Sequence, residues 1–145
     1  MTTIYDVPAD KAINLISKEF KDSGKMSPPA WSAYVKTGAN KEKSPENPDW
    51  WFLKCASIFR KIHIIGPIGI PRLRRIYGGK KNRGYKPEGV GGASGSIIRD
   101  ILQQLEKIGL IKKTKVGRIT TPEGVSLLDS LSHKIRRDIP ALKKY

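Results

Sequence analysis

The chain has 145 residues and carries 28 Lys plus Arg against 13 Asp plus Glu, a formal net charge of +15 with a pI near 10.1. That length fits one domain with a sizeable core, while a single cysteine excludes an internal disulfide and no apolar run is long enough to cross a membrane. So much like charge on a compact domain repels itself, and the usual remedy is a polyanionic partner, nucleic acid ahead of an acidic membrane surface.

The first residues lack the basic and apolar regions of a signal peptide, and a lone thiol fits a reducing cytosol. Residues 8–21 read as a helix with Ala9, Ile13, Ile16 and Phe20 on one face, closed by Ser23-Gly24. Ser27-Pro28-Pro29 opens a short second helix over 30–35, with Ser27 as N-cap. Residues 36–46 form a polar connection whose Lys-Glu-Lys content reads as a solvated loop.

Residues 50–65 are the most apolar stretch. Asn47 suits the N-cap, Pro48 the first helical position, and Asp49 the positive end of the dipole; Gly66-Pro67 stops the helix. Trp51, Cys55, Ile58, Ile62 and Ile65 form one apolar stripe, with Phe52, Ala56 and Phe59 beside it. Only a narrow strip remains polar: Lys54, Ser57 and Lys61, flanked by Arg60. A helix apolar around most of its circumference must be surrounded, so this one is expected at the centre of the fold.

After it the glycine- and proline-rich residues 66–71 read as extended, and 72–77 as a strand. Gly78-Gly79 and Asn82-Arg83-Gly84 flank a tight basic turn, Tyr85-Lys86 begin the return, and Gly89, Gly91, Gly92 and Gly95 make a flexible connector. Residues 67–93 thus form a basic loop. Ser94 or Ser96 caps a helix that runs to Ile108 and ends at Gly109. Leu110 to Val116, Gly117 and the return through Thr120 make a short hairpin. Thr121, Pro122 and Glu123 start a last helix whose apolar side is Val125, Leu128, Leu131 and Ile135, and a basic tail follows Arg136. Helix, glycine, basic hairpin, Thr-Pro-x-Gly, helix is the layout of a winged-helix unit. The expected architecture is one mainly α domain over residues 1–145: about five helices around a central amphipathic helix, winged-helix-like in its C-terminal half, with one or two short β-hairpins.

Between Arg72 and Lys86 seven of fifteen residues are basic and none is acidic: Arg72, Arg74, Arg75, Lys80, Lys81, Arg83 and Lys86. Tyr77 and Tyr85 are interleaved. Arginine forks match phosphate, tyrosine stacks on unpaired bases, and glycine admits close approach, which makes this loop the leading polyanion contact. Lys54, Arg60 and Lys61 are a second patch. Trp50 and Trp51 read first as aromatic anchors and second as stacking platforms. Arg99 and Arg118, on the recognition-type helix and in the wing, rank third. Catalysis finds little support: His63 and His133 have no nucleophile or orienting carboxylate at motif spacing, Gly89-x-Gly91-Gly92 is not a phosphate loop, and Cys55 falls on an apolar face. No metal or other cofactor is expected.

Several motifs, taken together, resemble a known family. They are Gly24-Lys25 with Pro29-x-Trp31, Asp49-Trp50-Trp51-Phe52, Ala56-Ser57 with Arg60, and Arg75-Ile76-Tyr77-Gly78-Gly79. Further on come Asn82-Arg83-Gly84, Leu102-Gln103-x-Leu105-Glu106 and Arg118-x-x-Thr121-Pro122-x-Gly124. In this order, over nearly the whole chain, they resemble the eukaryotic/archaeal-type small ribosomal subunit protein 19, which is unrelated to the bacterial protein of that number. The abrupt start and lack of a long basic tail look archaeal. The resemblance implies a structural component of the subunit head, bound to small-subunit ribosomal RNA and neighbouring proteins, cytoplasmic, and required for late maturation of ribosomal RNA. It implies no membrane, no small-molecule substrate, and a monomer when free. Family binding positions match at Trp50, Lys54, Arg60 and Arg99 and through the loop from Arg75 to Arg83; Asp100, where a second basic residue is usual, weakens the outer face of that helix as a contact. The rivals from composition and layout are a winged-helix DNA-binding regulator or nucleoid protein, which would concentrate its charge on the recognition helix, and a protein-docking module.

Overall fold

The computed structural model describes residues 2–141, which run through five α-helices and two antiparallel hairpins. In chain order these are α1 (Ala9–Ser23), α2 (Trp50–Ile65), α3 (Ile70–Ile76), β1 (Gly79–Arg83), β2 (Lys86–Gly91), α4 (Gly95–Ile108), β3 (Ile111–Lys113), β4 (Arg118–Thr120) and α5 (Pro122–Asp138). Short 3₁₀ turns lie at Ile4–Asp6 and Ala30–Ala33.

Helix α2 is the hub. Trp51, Cys55, Ala56, Ile58, Phe59 and Ile62 are buried, against α1, α4 and β4. The Phe59 ring meets Phe20 of α1 at 6.0 Å, and Trp51 lies edge-on to both Trp31 and Trp50. Burying a Phe or Ile side chain contributes about 1.5–3 kcal/mol, so this helix supplies a large part of the hydrophobic stabilisation. Its start differs in detail from expectation. Asp49 is the N-cap residue, and the Asn47 side chain accepts from the Asp49 N–H at 2.9 Å, closing an Asx turn one step earlier. Gly66 ends the helix as expected. In α1 the buried face is Ala12, Ile16 and Phe20, with Ala9 exposed. The second helix is only the 3₁₀ turn, with Pro29 rather than Ser27 at its start; the Ser27 backbone instead exchanges hydrogen bonds with the Gln104 amide.

The strand expected over 72–77 is a correction: Arg72 to Ile76 belong to α3, and Tyr77 is its C-cap residue. Ile70, Leu73 and Tyr77 reach the core at i, i+3, i+7, and Pro71 sits in the first turn, where its missing N–H costs nothing. The next correction follows from it. The basic turn is itself strand β1, and the glycine connector is strand β2 plus the first turn of α4. The register pairs Gly79 with Gly91, Lys80 with Val90 and Lys81 with Gly89, with a bulge before Arg83. Gly84, at φ 73, takes the left-handed turn position. Glycine is obligatory at the hairpin's base for steric reasons, because a Cβ on Gly78 would overlap the Gly91 carbonyl oxygen.

The C-terminal half is winged-helix-like. Ser94 caps α4 by accepting from the Ile97 N–H, and Gly109 ends it in the left-handed conformation at φ 92. β3 and β4 pair from Ile111–Thr120 to Lys113–Arg118, and Ile68 bridges onto Arg118 to widen the wing. Thr121 caps α5 and also donates from its hydroxyl to the Gly109 carbonyl at 2.6 Å. Leu128, Leu131 and Ile135 bury the inner face of α5, while Val125 is half-buried. The basic tail is helical through Asp138; residues 142–145 lie outside the described residues.

Candidate nucleic-acid interface

The uncovered edge of α2 runs Trp50, Leu53, Lys54, Ser57, then Arg60 and Lys61, all only partly buried. Tyr77, at the C-terminal end of α3, folds back onto it. The Ser57 and Tyr77 hydroxyls share a hydrogen bond of 2.6 Å, and the Lys54 ammonium sits 4.4 Å above the Tyr77 ring centre. Burial pushes the Tyr77 phenol up to about 12, against the Ser57 hydrogen bond and the Arg60 charge, which pull it down. Desolvation, and then the Lys41 charge, hold the Lys54 ammonium below its ordinary value. Among the described residues no carboxylate pairs with Lys54, Arg60 or Lys61; the ion pairs are Lys21–Asp49 and Arg118–Glu106. Arg60 Nε is buried without a hydrogen-bond partner.

Beyond Tyr77 the surface becomes the β1–β2 hairpin. Lys80, Lys81, Arg83 and Lys86 are exposed along it, and Tyr85 stands fully exposed at its turn. Arg83 Nε donates to the Pro87 carbonyl at 2.8 Å, which steadies the tip. On α3, Arg72 and Arg75 are exposed, whereas Arg74 donates from Nε to the Ala93 carbonyl at 2.9 Å and lies over Gly92 and Gly95. Arg74 therefore fastens α3 to the junction where the hairpin leads into α4.

The third-rank candidates stand in the C-terminal half. Arg99 is exposed on α4. Arg118 turns inward, donating from Nε to Glu106 at 2.8 Å with its side chain 14 % exposed. Lys41 and Lys43 were missed because a Lys-Glu-Lys loop reads as solvated. The loop is in fact anchored at its start: Gly38 bridges to Ala93, Ser94 N–H donates to the Thr37 carbonyl at 2.9 Å, and Asn40 packs on Gly79 and Gly91. With α1, α2 and Tyr77 it encloses a groove of about 570 Å³ over Trp50 and Lys54. Nothing in the spacing of residues 36–46 gives that away.

The arrangement offers cationic and aromatic binding chemistry and no reaction centre. Burial raises the Cys55 thiol well above its ordinary value, which makes it a core residue rather than a nucleophile. Among the described residues no cluster of ligands could hold a metal ion, and no helix is long and apolar enough to cross a membrane.

Comparison with known proteins finds relatives along the whole chain. The chain is 42% identical to small ribosomal subunit protein eS19 of Thermoplasma acidophilum, across all of this chain and 99% of that protein. It is 42% identical to the protein of the same name from Aeropyrum pernix, again across all of this chain and 99% of the relative. With eS19B of Schizosaccharomyces pombe it shares 39% identity, over 94% of this chain and 96% of that one. The sequence profile described as Ribosomal protein S19e matches residues 3–138, almost everything between the two ends, and the chain belongs to that family.

Proposed function

We propose that this protein is a structural, non-catalytic component of the cytoplasmic small ribosomal subunit, held there by ribosomal RNA and by neighbouring subunit proteins. The observation that carries the reading is the cationic surface running from the α2 edge, through Tyr77, onto the exposed hairpin, where among the described residues its lysines and arginines form no ion pair and Glu88 is the single acidic residue of the two hairpin strands. Arg60 and Lys61, Arg72 and Arg75 on α3, and Lys80, Lys81, Arg83 and Lys86 on the hairpin meet the phosphate backbone. Specificity comes from the shape of the folded RNA. A protein that clamps folded RNA in this way favours the mature fold, which ties it to subunit assembly and ribosomal RNA maturation. The free chain is a monomer, kept apart from its copies by like charge.

The test is assembly in cells. Arg60→Glu, and separately the joint change of Arg72, Arg75, Lys80 and Lys81 to Ala, should each remove the protein from the small-subunit peak of a magnesium-containing sucrose gradient. Circular dichroism should remain that of a folded helical protein, since none of the five anchors the core. Arg74 is left intact because it fastens α3 to the junction of hairpin and α4. Unchanged co-sedimentation of both variants overturns the reading. A DNA-binding regulator is disfavoured because α4 carries Asp100 and Glu106, and the wing's Arg118 is turned onto Glu106. Equal affinity for a ribosomal RNA fragment and random duplex DNA at physiological salt would reverse that preference.

A further inference from the structure

The groove over the N-terminal half of α2 is unlike the rest of the basic surface. Its walls are largely apolar, from Ile13, Pro45, Leu53 and the rings of Trp50 and Tyr77, yet three ammonium groups, Lys41, Lys43 and Lys54, open onto it. At about 570 Å³ it falls within the size range of small-molecule sites. A duplex backbone rides over a surface and cannot enter such a groove. An isolated phosphate would satisfy the lysines and leave the apolar walls wet. An apolar ligand would strand the lysines.

We infer that this groove receives a single unstacked nucleotide, its base against Trp50 and the apolar walls and its phosphate among Lys41, Lys43 and Lys54. The inference deepens the RNA-binding reading and rests on it. Lys54 fits the role independently. It is half-buried beside another lysine, among the described residues it has no carboxylate partner, and only the Tyr77 face offsets its charge. A phosphate entering the groove supplies the missing counter-charge, and the low exposure strengthens that attraction. The Thr37 hydroxyl at the groove can donate or accept, and the walls are otherwise apolar or aromatic, so the groove should tolerate any of the four bases. The same chemistry is offered by a nucleotide within an RNA chain and by a free nucleoside monophosphate.

The full-length protein would be titrated, by fluorescence anisotropy, against an RNA hairpin with one unpaired adenosine bulge and against the same hairpin without it. Wild type should prefer the bulged RNA by about tenfold or more, the worth of one stacked base. Trp50→Ala should abolish the preference for the bulged RNA, with circular dichroism still that of a folded helical protein. Lys41→Ala with Lys43→Ala, in an exposed loop where folding is not at stake, should reduce the preference by at least half. Lys80→Ala with Lys81→Ala should weaken both RNAs alike. Equal wild-type affinity for the two hairpins overturns the nucleotide site and leaves the RNA-binding reading standing. Failure to bind either hairpin overturns both. Displacement of the bulged RNA by millimolar AMP down to bulge-free affinity would mean that the groove accepts a nucleotide from solution. A bulge preference that AMP does not touch would mean that the nucleotide must arrive as part of a chain.

Discussion

Tyr77 shows how much one side chain can do on the open edge of α2. The sequence offers it as a stacking platform beside Tyr85, and only Tyr85 is left exposed to serve. The Tyr77 ring is covered by the Lys54 ammonium, and its hydroxyl is spent on Ser57. The aromatic residues on either side of the Gly-Gly motif look alike in sequence, but one is followed by a turn into the hairpin and the other sits at its tip. A pH consequence follows. The folded state raises the phenol to about 12, against about 10 for a free tyrosine. Its contribution to stability is thus complete below pH ~10 and is lost as pH rises through about 12. Tyr77→Phe should flatten that alkaline loss of stability relative to wild type, while costing about 1 kcal/mol at neutral pH for the Ser57 hydrogen bond. Urea unfolding of both proteins across the alkaline range checks both signs.

At the scale of elements, the wing depends on one ion pair. Arg118 on β4 and Glu106 on α4 hold the hairpin against the helix, and the backbone of Arg118 also exchanges hydrogen bonds with Ile68. Arg118→Ala should therefore destabilise the protein by about 1.5–3 kcal/mol, as the loss of a charge-assisted hydrogen bond. Affinity for ribosomal RNA should change less than twofold. Chemical denaturation and a filter-binding assay on the same variant separate the two effects. The C-terminal half was the most legible part of the chain, because Ser94, Gly109, Thr121 and Pro122 are capping residues with strong local preferences that agree with the packing. The stretch from 66 to 95 was the least legible. Arg72–Tyr77 has too few apolar residues to separate a period of two from one of 3.6, and only contact with the core decides for the helix. The hairpin's glycines look like a flexible linker. Their cause is close approach, with Gly79 and Gly91 facing each other under Asn40. Of the candidate surface, the charged rim of α2 was visible from periodicity alone. The groove was not, since it depends on a loop folding back across more than thirty residues to meet Tyr77.

For the whole molecule the net charge of +15 governs behaviour in solution. Binding to RNA through about eight phosphate contacts should give an affinity that falls with salt at a logarithmic slope of about −5.6, at ~0.7 per phosphate. Removing Lys80 and Lys81 should flatten the slope by about 1.4, and titrations at several potassium chloride concentrations measure both. The interior stays on one side of this balance and the function on the other. Among the described residues, twenty-five buried apolar side chains form one continuous core, and the cations lie outside it. The ends of the chain bear on how that core is completed. Thr2 accepts a hydrogen bond from Arg136 at 3.0 Å, and Ile4, 1 % exposed, belongs to a turn that rests on α5. The turn at Ile4–Asp6 thus has no seat until α5 exists. A nascent chain carries an unfinished core, with its opening turn in water, for as long as residues 122–138 are missing.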